Sequence, residues 1–158
     1  MNVEKGPLHT IVLNDSLRAN PESTKSGLET LVRMQYTVGR KIAVIGEMGE
    51  LEKPEDEHKK TGDILADLMP DVVLCIGPLR QFTIKQALEK GYPKDRMYYA
   101  KDVFEAAEIL RKILKPGDLW YLKGSLLRNY KRILQLLNEE KVCCNAVLCP
   151  YEHCGYPE

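Results

Sequence analysis

The chain has 158 residues, 44% of them hydrophobic and 29% charged, a length and composition typical of one soluble globular domain. Its 23 basic and 23 acidic residues give a formal net charge of zero, which argues against a nucleic-acid binder and against a polybasic membrane-surface protein. No apolar run approaches the roughly 20 residues that span a bilayer, and the first residues, with Glu4 and Lys5, do not resemble a secretion signal. A cytoplasmic domain is therefore expected.

The first part of the chain predicts a strand followed by a helix. Leu8–Leu13 has the composition of a strand. Asn20 as N-cap, with Pro21 at the first helical position, predicts the start of the helix. Its buried stripe has the helical spacing i, i+3, i+4 and consists of Leu28, Leu31 and Val32.

Two nearly continuous apolar runs in the middle of the chain predict buried parallel strands. These are Lys41–Gly46 and Asp71–Gly77. Between them lie an acidic loop, Glu47–Pro54, and a helix over about Glu55–Met69. The second run leads into another helix that ends near Gly91.

The last part of the chain predicts two more strands and two more helices. Met97–Ala100 is a short strand, and Asp102 with Glu105 resembles a capping box that opens the next helix. Asp118–Lys123 is a strand, and Ser125 is placed to cap a final helix. The apolar face of that helix is expected to contain Leu127, Tyr130, Leu134 and Leu137.

Strands that alternate with helices predict an α/β fold, with a mostly parallel sheet of about six strands and helices on both faces. In such folds ligands bind beyond the carboxyl ends of the strands. The candidate loops are therefore Asn14–Ser16, Gly46–Gly49, Gly77–Pro78 and Lys123–Ser125.

The usual nucleotide-binding motifs are not present in these loops. The chain has no phosphate loop of the form GxxxxGK[ST], no GxGxxG fingerprint and no nucleophile elbow. On its own it is not expected to hold a nucleoside triphosphate.

Six motifs, in the correct order, resemble those of the C-terminal domain of Mur ligases. Asn14–Ser23 is similar to that family's DDxYNANPxS, and Lys41–Leu51 to its RIAVLGDMxEL. Four shorter matches follow: Glu57–Gly62, Asp71–Gly77, Pro116–Asp118 and Lys123–Ser125. The likeness is greatest to the Mur ligases that add D-alanyl-D-alanine to a UDP-muramoyl tripeptide.

The resemblance implies a Rossmann-like three-layer domain, here residues 1–140, of a three-domain ATP-dependent ligase. In that family a central domain supplies the phosphate loop and the magnesium ligands, and an N-terminal domain binds the UDP-sugar peptide. The C-terminal domain closes over ATP and receives the incoming amino acid or dipeptide, which attacks an acyl phosphate. The chain by itself would be inactive, and its partners would be those two domains or a phosphate-loop subunit.

The resemblance also implies which residues face the nucleotide and the hinge. They are Asn14, Asp15, Arg18 and Asn20. For Asp15 the alternative is a turn after the first strand, and for Asn20 it is a helix cap. Leu17 and Arg18 replace the family's usual Tyr and Asn. The planar guanidinium of Arg18 could bind a phosphate or a carboxylate through two hydrogen bonds.

The residues implied on the substrate side come from two later loops and a helix. They are Glu47, Met48, His58, Lys123, Ser125 and Arg128. His58 either orients a substrate, braces the loop or lies on a helix surface. Lys123 and Ser125 are placed at a strand end to meet a carboxylate. Arg128 takes the place of the arginine that the family has directly after KGS.

The last segment, residues 141–158, is a cysteine-rich tail. Cys143, Cys144, Cys149 and Cys154, with His153 nearby, predict a zinc site. The spacing contains no CxxC pair, and burial in a possible strand over Val142–Cys149 would explain Cys143 or Cys144 equally well. Cys75, Trp120 and Tyr121 are expected in the core.

Three functions remain open from the sequence. The first is a domain of a peptidoglycan-precursor ligase. The second is a ligase of the same superfamily with another carboxylate acceptor, either a cofactor or another cell-wall polymer. The third is a non-catalytic module that binds a small anion or a partner.

Overall fold

The computed structural model describes residues 1–125, 128–140 and 142. They form one six-stranded sheet in the order β1-β2-β6-β3-β4-β5. The strands are β1 (Asn2–Lys5), β2 (Ile11–Asp15), β3 (Lys41–Ile45), β4 (Val72–Ile76), β5 (Met97–Ala100) and β6 (Leu119–Lys123). The helices are α1 (Pro21–Arg33), α2 (Pro54–Leu68), α3 (Arg80–Glu89), α4 (Val103–Ile113) and α5 (Arg132–Leu137).

The sheet is parallel except for β1, and helices cover both of its faces. One core packs α1, α2 and α3 against the sheet through Leu28, Leu65 and Ala87. The other packs α4 and α5 against the opposite face through Leu110 and Ile133. The predicted three-layer α/β fold of about six strands is confirmed.

The start of the chain differs from the prediction. Residues Pro7–His9 form a 3-10 turn, with Leu8 and His9 in left-handed conformations, so β2 begins at Ile11 rather than Leu8. The unpredicted strand β1 pairs antiparallel with β2 at the edge of the sheet. Its sequence NVEK is short and polar, as suits an exposed edge, and therefore lacks the apolar pattern that predicts a strand.

The last helix also differs from the prediction. Lys131, not Ser125, precedes α5, and residues 128–131 form a turn before it. Leu134 and Leu137 pack on the core as expected, together with the buried Tyr130. Leu127 lies outside the described residues.

The order of the strands creates a crevice at the carboxyl edge of the sheet. β6 lies between β2 and β3, and it is parallel to both. After β2 and after β3 the chain turns to one face of the sheet, where α1 and α2 pack. After β6 it turns to the opposite face, where α5 packs. Ligands bind at such a reversal in open α/β sheets. Within the described residues, no helix is long and apolar enough to span a membrane.

Candidate functional site

An open cleft of about 570 Å³ lies beyond the carboxyl ends of β2, β6 and β3. Three loops line it. Residues 17–20 come from the loop after β2, residues 49–51 from the loop after β3, and Ser125 from the loop after β6. Three of the four predicted loops therefore meet at one site.

Asp15 and Lys123 form an ion pair below this cleft. The two residues are partners in the register of β2 and β6, and Lys123 Nζ lies 2.8 Å from Asp15 Oδ2. The Tyr121 hydroxyl donates to the same oxygen at 2.9 Å. The side chain of Lys123 is only 1% exposed. Its ammonium group is thus held inside the protein beside Asp15, and the contact of Lys123 with a substrate stays a prediction.

Asn14 and Asn20 shape the loop between β2 and α1. Asn14 Oδ1 accepts from the hydroxyl of Ser16, and Asn14 Nδ2 donates to Glu4. Asn20 Oδ1 accepts from the Ser23 amide in a capping box at the start of α1. Both side chains have structural partners, and Arg18 is the exposed charged residue of this loop that lines the cleft.

Tyr130 holds the loop after β3 through the backbone of that loop. Tyr130 packs where a Cβ on Gly46 or Gly124 would overlap its ring, so both positions require glycine. The Glu47 amide donates to the Tyr130 hydroxyl at 3.0 Å. Burial, the largest effect, raises the pKa of Tyr130 to about 12, so the hydroxyl stays neutral.

His58 braces the same loop from the first turns of α2. Its side chain is fully buried, so a surface position is excluded. Nε2 accepts from the Met48 amide at 3.0 Å, and Nδ1 lies 2.6 Å from the Pro54 carbonyl, to which it donates. Burial and the positive charge of Arg80 lower the pKa of His58 to about 4. Both ring nitrogens thus have partners inside the protein, and His58 holds the loop at the buried Met48, while a contact of either residue with a substrate stays a prediction.

Arg128 connects the loops after β3 and β6. Its Nε lies 3.2 Å from Glu47 Oε1, and its Nη1 lies 3.4 Å from Ser125 Oγ. A Cβ on Gly49 would lie 3.0 Å from Arg128 Nη1, so the guanidinium sits against the wall of the cleft. The side chain of Arg128 is 13% exposed. The structure thus brings together the predicted residues Glu47, Ser125 and Arg128.

Arg80 is a charged residue of this region that the sequence did not reveal. It is fully buried, donates from Nε to the Gly46 carbonyl at 2.9 Å, and donates from Nη1 to Thr83 at 3.1 Å. Burial lowers its pKa. Arginine at the start of a helix is ordinarily exposed, and no pattern in the sequence distinguishes this one.

Of the cysteines, Cys75 lies in the core, where burial raises the pKa of its thiol to about 12. The predicted zinc ligands and the predicted tail strand, apart from Val142, lie outside the described residues. In the described ranges, no group of three or more His, Cys, Asp or Glu side chains is arranged to hold a metal ion.

A family profile described as "Mur ligase, glutamate ligase domain" matches residues 1–126. The chain is also 27% identical, over 149 residues, to the UDP-N-acetylmuramoyl-tripeptide–D-alanyl-D-alanine ligase of Mycobacterium tuberculosis. This match covers 84% of the chain and 29% of that protein. The corresponding ligase of Mycobacterium leprae is 27% identical over 128 residues, which are 72% of the chain and 25% of the relative. The chain spans less than a third of the relatives it matches.

Solved structures show the same fold. A crystal structure of the MurF ligase from Thermotoga maritima in complex with ADP matches with a TM-score of 0.68 and 24% identity, covering 88% of this chain and 30% of that chain. A structure of MurF from Acinetobacter baumannii matches with a TM-score of 0.72 and 22% identity, covering the same shares. The predicted Rossmann-like architecture agrees with both.

Proposed function

The chain belongs to the Mur ligase family, as its glutamate ligase domain, and we propose that it is the C-terminal domain of an ATP-dependent ligase of peptidoglycan precursor synthesis. The support is the match to D-alanyl-D-alanine ligases, together with a cleft built from three of the predicted loops. The acceptor would be a UDP-sugar peptide and the amine an amino acid or dipeptide. A cytoplasmic location, where ATP is available, follows from the same proposal.

The observation that carries this proposal is the position of Arg128. Its guanidinium lies beside Ser125, a residue that lines the cleft, with Nη1 3.4 Å from Oγ. A guanidinium can donate two parallel hydrogen bonds to a carboxylate. Arg128 and Ser125 would therefore bind the carboxylate of the incoming amino acid or dipeptide. This binding fixes the orientation of the amine and brings it close to the carbon it attacks.

The loop after β2 would face the nucleotide. ATP would supply the phosphoryl group that activates the acceptor carboxylate. The exposed Arg18 has the charge and donors to contact a phosphate, and Asn20 fixes the direction of α1 next to it. Asp15 would remain on the hinge side, held by Lys123 and Tyr121. Magnesium would be bound mainly by the central domain.

Leu17 and Arg18, which replace the family's usual Tyr and Asn, favour one alternative. This alternative is a ligase of the same superfamily with another acceptor. Both side chains are exposed, and both line the cleft, where they would meet the ligand. An apolar residue and a cation at these positions select for different groups than Tyr and Asn do. The choice of acceptor therefore belongs in the test.

The test measures phosphate release from ATP by the full-length protein that carries this chain, or by the chain together with its N-terminal and central domains. UDP-muramoyl tripeptide is the first acceptor, and amines are added one at a time. Release that requires D-alanyl-D-alanine supports the proposal. Release with another amine or acceptor supports the alternative ligase, and no release from folded protein leaves a binding module.

A pair of variants tests the role of Arg128. We expect Arg128→Gln to raise the KM for the amine at least about tenfold while the KM for ATP stays the same, because the proposal gives Arg128 a contact to the amine substrate and none to ATP. The control is Arg33→Gln on α1, whose side chain is 73% exposed. It should change neither constant. Equal effects of the two variants would refute the assignment.

A further inference from the structure

Two guanidinium groups and one carboxylate meet beneath the cleft. Glu47 pairs with Arg128, whereas Arg80, fully buried, has no carboxylate within ion-pair distance among residues 1–125 and 128–140. A buried charge without a partner is costly in free energy. The pair of arginines therefore carries one positive charge more than Glu47 can balance.

Arg80 also has an unused donor. Its Nη2 is buried and makes no hydrogen bond with any described residue. Nε and Nη1, in contrast, are bonded to the Gly46 carbonyl and to Thr83. Buried polar groups nearly always have a partner, so a free one calls for an explanation.

Glu47 is anchored to the segment that carries Arg80. Its Oε2 accepts from the Leu79 amide at 2.8 Å, and Leu79 directly precedes Arg80. Gly46, which precedes Glu47, accepts from Arg80 Nε. Residues 79 and 80 thus donate both of the hydrogen bonds that join them to residues 46 and 47. Gly77 gives the Glu47 side chain room, since a Cβ there would lie 2.6 Å from Glu47 Cδ.

The other carboxylate oxygen, Oε1, is the one that Arg128 holds, and at 3.2 Å this contact is longer than a strong charge-assisted bond. Glu47 therefore engages Nε of the arginine that a substrate carboxylate would need. A substrate carboxylate on Arg128 would lie close to Glu47, and two like charges at that distance repel each other. Glu47 then needs another cation.

We propose that Arg80 is a positioning residue that takes over Oε1 of Glu47 when Arg128 binds the carboxylate of the incoming amino acid or dipeptide. Oε2 stays on the Leu79 amide, and the carboxylate turns from Arg128 Nε toward Arg80 Nη2. The exchange frees Arg128 for the ligand and gives the buried Arg80 a charged partner. This inference rests on the proposed role of Arg128 in binding the substrate.

The test follows the Nε–Hε signals of arginine by NMR while D-alanyl-D-alanine is added to the chain. The control probe is D-alanyl-D-alanine amide, which lacks the carboxylate. We expect the dipeptide, and not the amide, to shift the signals of Arg128 and of the buried Arg80. The variant Glu47→Gln removes the carboxylate that turns from Arg128 to Arg80. In this variant the dipeptide should shift the signal of Arg128 alone.

A double-mutant cycle gives the second readout. Arg80→Met should weaken dipeptide binding about tenfold when Glu47 is present, and less than about twofold in the Glu47→Gln background, because coupled residues are not additive. Equal losses in both backgrounds would overturn the exchange and leave Arg80 a structural residue. If Arg80→Met does not fold, the shifts in the wild type and in Glu47→Gln decide the question.

The two proposals fail differently. If the dipeptide shifts Arg128 but leaves Arg80 unchanged, the exchange is wrong and the role of Arg128 stands. If neither probe shifts Arg128 at saturating concentration, the role of Arg128 is wrong and the exchange falls with it.

Discussion

Lys123 Nζ lies 2.8 Å from Asp15 Oδ2, across two strands that place these residues opposite each other. The two partners differ in exposure, since the side chain of Lys123 is 1% exposed and that of Asp15 is 22% exposed. Asp15 also accepts from the Tyr121 hydroxyl. The ammonium group therefore depends on this pair more than the carboxylate does.

This asymmetry predicts unequal effects of the two single substitutions. Asp15→Asn leaves a buried ammonium group without its counter-charge and should lower the free energy of unfolding by about 2–3 kcal/mol. Lys123→Met keeps the length of the side chain, and the remaining carboxylate still reaches water and Tyr121, so its cost should stay below about 1 kcal/mol. Urea unfolding at pH 7 measures both. Equal losses would show that the exposure of Asp15 does not matter.

The hydroxyl of Tyr130 should contribute measurably to the free energy of unfolding. Tyr130→Phe keeps the ring between Gly46 and Gly124 but removes the acceptor of the Glu47 amide. Glu47 is 4% exposed, so its amide has little access to water, and we expect a loss of about 1–2 kcal/mol in the free energy of unfolding.

The matched control is Tyr98→Phe on β5, because the Tyr98 hydroxyl has no hydrogen bond to any residue within the described ranges. It should change the stability by less than about 0.5 kcal/mol. If both variants lose the same amount, the bond to the Glu47 amide contributes nothing.

Asp118 should stabilise the opposite end of the sheet. Its carboxylate accepts from the side chain of Arg40 at 2.7 and 3.1 Å and from the amides of Arg40 and Lys115. The side chain of Asp118 is only 2% exposed. Asp118→Asn should therefore cost about 3 kcal/mol in unfolding free energy, since it removes the charge of a buried carboxylate that is paired with Arg40.

Because Asp118 directly precedes β6 at its amino end, Asp118→Asn should leave binding at the carboxyl edge unchanged. Calorimetric unfolding and the dipeptide titration, made on the same sample, separate the two effects. A change in dipeptide affinity would mean that the two ends of the sheet are coupled.

The sequence predicted the parts of the fold that depend on local patterns. The central strands β3, β4 and β6 are apolar because helices cover both faces of the sheet, and this makes them easy to detect. The helix caps at Asn20 and Asp102 were also predicted, because a cap depends on residues only three positions apart.

The parts that were missed depend on contacts distant in the sequence. Glu47 and Arg128 are separated by 81 residues, and nothing near either one indicates the other. His58 and Arg80 look like surface residues of helices, yet both are buried where α2, α3 and the loop after β3 meet. The motifs therefore located the cleft, but only the tertiary structure separates the residues that support it from those that face a ligand.

His58 makes the stability of the chain depend on pH in a defined range. Its pKa is about 4 in the folded protein, below the ordinary 6.5, so the unfolded chain binds more protons between these values. The stability is thus full above pH 6.5 and is lost as the pH falls toward 4. From these two pKa values we expect His58 to remove about 2 kcal/mol of unfolding free energy between pH 7 and pH 5.

The measurement compares urea unfolding of the wild type and of His58→Gln at both pH values. Glutamine offers an oxygen to the Met48 amide but does not titrate, so the comparison cancels the contributions of all other groups. His9→Gln, in the exposed turn before β2, serves as the matched control for replacing a histidine by glutamine. If His58→Gln keeps the pH dependence of the wild type, His58 is not buried in its neutral form. Its role in holding the loop after β3 then loses its support.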